Sequence, residues 1–178
     1  MRSAIGIDIA APPELVYRLA HDVTRWDRLL PHYSRSAVVR EAADGARVCD
    51  FVARRPLVPF LGLGIPVTWR SRTWHEPATR RLRFVHLAGA TRGMDVTWTI
   101  EPAAGGGTRV EITHEFRPRV PLFAVLVDRL FTAPIAGRTL ATFRALAEAL
   151  ATDAASDDPP PADRLPAPAS GSPPVTNS

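Results

Sequence analysis

Apolar and small or polar residues alternate at the start of the chain. Ile5, Ile7 and Ile9 share one face, with Gly6, Asp8 and Ala10 between them. A period of two predicts a half-buried strand. Pro12 and Pro13 end it, and proline suits a first helical turn. Glu14 complements a helix N-terminus, and Leu15, Val16 and Leu19 form a stripe, so Pro13 to His21 is expected to be a short helix. Thr24 with Asp27 resembles a capping box and predicts a second short helix through Trp26, Leu29 and Leu30, ending near Pro31.

Strand patterns follow. Ser34–Arg40 and Arg47–Arg54 flank an Ala-Asp-Gly turn, a hairpin signal. Val67–Glu76 and Arg81–Leu87 are separated by a Glu-Pro-Ala-Thr turn. Met94–Glu101 alternates most clearly, with Met94, Val96, Trp98 and Ile100 on one face. After three glycines, Arg109–Arg117 places Val110, Ile112, His114 and Phe116 on one face. From Pro121 the period lengthens: Phe123, Leu126, Val127, Leu130, Leu140, Phe143, Ala147 and Leu150 recur at three and four residues. This predicts a long helix, with Pro134 and Gly137 expected to kink or break it. The fold class is α+β: a first strand, two short helices, six further antiparallel strands and a long C-terminal helix. A single long helix covers the apolar side of the sheet, and a curved sheet around one helix leaves room for a ligand.

Composition limits the partners. Residues 152–178 hold seven prolines and no aromatic side chain, which predicts a disordered tail after a domain spanning 1–151. All 22 basic residues are arginine, and residues 1–151 carry 21 of them against 14 acids, a net charge near +7. The arginines are spread over several strands, so no nucleic-acid partner is expected. Cys49 is the one cysteine, which fits a reducing compartment and a small buried hydrophobe. The first residues lack a signal-peptide pattern, and the longest uncharged run, Pro56–Trp69, is too short to span a bilayer. A cytoplasmic protein without membrane insertion is expected.

The segments "IDIAAPPELVYRLAHDVTRWDRLLPHYSRSAVV", "TRGMDVTWTIEPAAGGGTRVEITHEF" and "RTLATFRALAEAL" resemble the START-like helix-grip (SRPBCC) superfamily, and within it the polyketide cyclase/dehydrase branch. The resemblance covers residues 3–151. It implies a helix-grip fold and no cofactor. Its ligand would be a poly-β-ketone or similar oxygenated hydrophobic chain, delivered by an acyl carrier protein. The activity would be aldol cyclisation and dehydration. The superfamily also includes non-catalytic carriers and sensors of lipids or quinones, which is the alternative. The aromatase/cyclases of this branch have a tyrosine matching Tyr33, proposed as an acid/base or orienting group. Where they have an inward arginine this chain has His75, and where they have a polar residue in the last helix it has Ala141.

Strand parity supplies further candidates. Arg70, Arg72 and Glu76 point the even positions of Val67–Glu76 outward, so Trp69 and His75 face inward. Phe84 and His86 share the inner face of the next strand, and His114 that of the last. His75, His86 and His114 read either as buried histidines satisfied by neighbours or as a polar cluster for oxygenated ligand atoms. Three histidines on separate strands could also hold zinc, but no close-spaced motif supports this and no metal is expected. Trp69, Phe84, Trp98 and Phe116 would be walls. The apolar run 57–65, with Phe60, reads as a lid over the cavity or a contact for a partner or membrane surface. Tyr33, His75 and His114 are thus the candidate catalytic residues, and Trp69, Phe84, His86, Trp98, Phe116 and Phe60 the candidate ligand contacts.

Overall fold

The computed structural model describes residues 1–56, 64–118, 123 and 126–156. Seven strands form one antiparallel sheet: β1 Arg2–Ile9, β2 Tyr33–Glu41, β3 Arg47–Pro56, β4 Gly64–Glu76, β5 Arg81–Gly89, β6 Asp95–Pro102 and β7 Thr108–Glu115. Their order is β1-β7-β6-β5-β4-β3-β2. Strands β2 to β7 follow one another as hairpins, and β1 closes on β7 with Ile5 opposite Ile112. Burial alternates B-e-B-e-B along β7 from Thr108, which is the period of two expected of a strand with one wet face.

Between β1 and β2 lie the helix α1, Pro13–Ala20, a 3₁₀ turn, Val23–Arg25, and the helix α2, Trp26–Leu29. Asp22, not Thr24, caps the turn: its carboxylate accepts from the Thr24 amide at 3.2 Å and from the Thr24 hydroxyl at 2.6 Å. A cap oxygen satisfies an N–H that the first turn leaves open. The Trp26 indole donates to the Ala20 carbonyl at 3.0 Å, which fixes α2 against the end of α1.

The last helix, α3, spans Ala133–Ser156. It runs through 152–156, so those residues are helical and not part of a tail; residues 157–178 lie outside the described part. The irregularity expected at Pro134 and Gly137 sits before both, in a π-helical turn at Asp128–Thr132. There the Ala133 amide bonds back to the Asp128 carbonyl, five residues away. Pro134 has no N–H to offer the preceding turn and its ring crowds it, and a widened turn accommodates both. Gly137 lies within regular helix. Ile135, Ala136, Thr139, Leu140, Phe143 and Ala147 form the buried face of α3, which touches β1, α1 and β3.

Two local distortions shape the sheet near its concave side. A register shift falls between Arg70 and Ser71 where β4 meets β5, and an extra residue in one strand bends it. Gly89 follows at φ +94°, opposite Trp69. Gly64 and Ile65, expected in the loop, begin β4.

Candidate functional site

The concave face of the sheet and α3 do not close completely, and a cavity remains. Its polyaromatic wall is built by parity: Phe51 from β3, Trp69 from β4, Phe84 from β5 and Trp98 from β6 all point in. Trp26 is the hub of this wall, with ring centroids 5.3 Å from Trp98, 5.6 Å from Phe84 and Tyr33, and 5.9 Å from Phe51. Val67, Val96, Ile112 and Met94 complete the described apolar lining on the sheet side. Space open to the centres of water-sized molecules amounts to about 80 Å³, where one water needs about 10–15 Å³.

Polar groups reach this space at two places. Tyr33 begins β2, and its buried phenol is held above the usual tyrosine range, burial dominating over the opposing hydrogen bond of Thr139. Thr139 donates its hydroxyl to the Ile135 carbonyl at 2.9 Å, so the His32 Nε2, 2.9 Å away, is the donor to it. Burial, then the charge of Arg138, push His32 down to about 4. His86, Thr91 and His114 make the second group. His86 Nδ1 lies 2.6 Å from the Thr91 hydroxyl, and its ring stacks on Trp69 at 6.0 Å and 21°. Burial, then the neighbouring His114, lower His86 to about 3. Burial lowers His114 to about 4, against an opposing pull from the Asp128 carboxylate. Both imidazoles and the phenol are therefore uncharged near neutral pH, and no Asp, Glu or Arg is among the described lining residues. Such a surface suits neutral ketone, enol or phenol oxygens on an otherwise apolar molecule.

The structure brings together Tyr33, Trp69, Phe84, His86, Trp98 and His114 of the candidates. His75 does not join them. It shares their parity but is exposed at the far end of β4, where the Tyr17 hydroxyl lies 2.8 Å from its Nδ1 and His21 at 5.4 Å between ring centroids. Phe116 is buried but falls past the end of β7, with its ring 6.5 Å from that of Phe123, and is not among the described cavity residues. Phe60 lies outside the described residues. Parity did not reach the lining residues Thr91 and Thr139, nor His32, which bonds to Thr139: Thr91 is in a turn, His32 precedes its strand, and Thr139 needs the helix phase beyond the π-turn. Among the described residues no three His, Cys, Asp or Glu side chains group to hold a metal, and no helix is long and apolar enough to cross a membrane.

Known proteins share this architecture. The family model for polyketide cyclase/dehydrase and lipid transport matches residues 3–155. The granaticin polyketide synthase bifunctional cyclase/dehydratase of Streptomyces violaceoruber is 31% identical over 117 residues, 65% of this chain and 34% of that protein. The chain thus spans about a third of that relative's length. Among solved structures, the Zhui aromatase/cyclase of Streptomyces sp. R1128 has a TM-score of 0.66 at 19% identity, covering 83% of this chain and 93% of its own. A START superfamily protein from Mycobacterium smegmatis has a TM-score of 0.63 at 14% identity, covering 84% and 98%. These two likenesses are of fold, and they bear out the helix-grip architecture that the resemblance implied. With the family model matching nearly the whole described chain, the protein belongs to the polyketide cyclase/dehydrase and lipid transport family.

Proposed function

We propose that the chain binds a poly-β-ketone or similarly oxygenated hydrophobic chain in this cavity and promotes its cyclisation and dehydration. The observation that carries the reading is an aromatic cavity whose described polar lining holds no carboxylate or guanidinium: Tyr33 and Thr139 at one place, His86, Thr91 and His114 at another, with Thr132 beside them on the lining. In an aldol closure a carbon next to a carbonyl loses a proton, bonds to a second carbonyl carbon, and the new alkoxide gains a proton. Loss of a further α-proton and of the hydroxyl then releases one water. In this reading His114 takes and returns protons, and Tyr33, which stays protonated, donates a hydrogen bond to the carbonyl oxygen. The aromatic walls fold the chain, and orientation of the reacting carbons contributes at least as much as acid/base work. The arginine excess of residues 1–151 complements an acidic acyl carrier protein delivering the chain.

A second reading, a non-catalytic carrier of a hydrophobic ligand, is favoured by one observation. Imidazoles held at about 3 and about 4 are weak bases near neutral pH. Tyr33→Phe and His114→Gln separate the two readings. With a synthetic poly-β-ketone thioester, an enzyme loses about tenfold or more in cyclisation rate while binding persists. A carrier shows no turnover and changes affinity by about 0.5–1.5 kcal/mol per lost hydrogen bond. Wild-type rates and affinities in both variants would refute the site.

A further inference from the structure

The odd-numbered side chains of β4 run from the cavity to a second hollow. Trp69 lines the cavity, and Thr73 and His75 line the hollow, together with His21, Arg47 and Leu82. The same His21, Arg47 and His75 border a neighbouring surface hollow, together with Asp22 and Glu41. Among the described residues one side chain belongs to both linings, Phe84. Its ring lies 5.6 Å from Trp26 and 6.4 Å from Phe51, and its β4 partner is Thr73. On β4, between Trp69 on the cavity side and Thr73 on the other, sits Ser71. It is fully buried, and its hydroxyl is the one buried side-chain polar atom among the described residues without a hydrogen-bond partner. Natural interiors leave few such groups, because an unpaired buried hydroxyl costs desolvation with nothing in return.

We propose that the cavity and the His21–Arg47–His75 hollow are two halves of one ligand channel partitioned by Phe84, and that a long oxygenated chain displacing this ring places an oxygen on Ser71. This rests on the reading of the cavity as the ligand site. The free volume supports it, since about 80 Å³ on the cavity side holds only several water-sized groups. A longer molecule needs the space beyond the partition. The outer half offers Arg47 and His75 as partners for the oxygenated end of such a chain. Phe84 thereby sets the length of ligand that the cavity side alone accepts.

The test is an imidazole nuclear magnetic resonance titration of the full chain with 2-octanone and with 2-tetradecanone. His114 reports the cavity and His75 the outer half. Tetradecanone is expected to shift both, and octanone His114 alone; in Phe84→Ala octanone reaches His75 as well. Ser71→Ala is expected to weaken tetradecanone about threefold to tenfold, the worth of one hydrogen bond. Tetradecanone shifting His114 without His75, in wild type and Phe84→Ala alike, overturns the channel and leaves the cavity reading standing. Unchanged tetradecanone affinity in Ser71→Ala overturns the assignment of that hydroxyl. If neither ketone shifts His114, the cavity reading fails and the channel falls with it.

Discussion

The His32 Nε2 sits 2.9 Å from the Thr139 hydroxyl across 107 residues of sequence, and both side chains are buried. This bond ties the start of β2 to the centre of α3 beside the Tyr33 phenol. Thr139→Val keeps the shape and removes this acceptor, leaving the buried imidazole with the Ile135 backbone alone. The expected loss is about 1–3 kcal/mol of unfolding free energy. Urea denaturation measures it, and a loss near zero would mean that water takes over the bond.

Acid should destabilise the fold before its carboxylates matter. His32, His86 and His114 are held at about 4, about 3 and about 4, against about 6.5 in an unfolded chain. A histidine lowered in the folded state binds fewer protons there than when unfolded. Stability is therefore full above about pH 6.5 and falls as pH drops through the window toward 4. His75, lowered in the same direction by burial and by His21 and Arg47, adds to the trend. Unfolding free energy measured from pH 7 to pH 4.5 should decline steeply, and His86→Asn should flatten the decline by about one proton. A flat profile would contradict the burial of these imidazoles.

Gly89→Ala should be costly for its size. Residue 89 has φ +94°, and a Cβ there would meet the Thr68 carbonyl oxygen at 2.5 Å. Both strain and collision fall on the β4–β5 distortion that carries Trp69 and His86. The substitution should cost more than about 1 kcal/mol, exceeding in the opposite direction what alanine gains at a glycine position whose backbone it can adopt. It should also weaken binding of a cavity ligand. A thermal melt and a tryptophan-fluorescence titration check the two parts separately.

Removal of residues 157–178 should leave Tm unchanged within error. The segment has seven prolines and no aromatic anchor, a composition that buries little surface. Ending the chain after Ser156 preserves α3. A fall of several degrees in calorimetry would show that the segment docks on the domain.

Much of this architecture is legible in the residues because alternation is a local signal. Val96, Trp98 and Ile100, then Val110, Ile112 and His114, declare their face without any knowledge of partners, and all are buried. The same rule put Trp69, Phe84, His86 and His114 in the cavity. Parity assigns a face, however, and not a position along the strand. His75 obeys it and still lies at the other end of β4, under α1. The helix was harder, because the π-turn at Asp128–Thr132 changes its phase. Leu126 and Phe123, which continue the apolar stripe in sequence, are 52% and 41% exposed, while Thr139 is turned into the core. A polar residue on a buried helix face shows no hydrophobic period, so neither it nor its partner His32 stands out.

The strand order also dictates how the sheet assembles. Strands β2 to β7 are joined by hairpins and can zip in sequence from short contacts, whereas Arg2 must find Glu115 across the whole meander. Closing so long a loop is entropically slow, and such pairings tend to form late. On a ribosome, β1 emerges first and waits, carrying α1 and α2, until β7 has been made. Substitutions in β1, such as Ile5→Val, should therefore speed unfolding and hardly change the folding rate, the signature of contacts absent from the transition state.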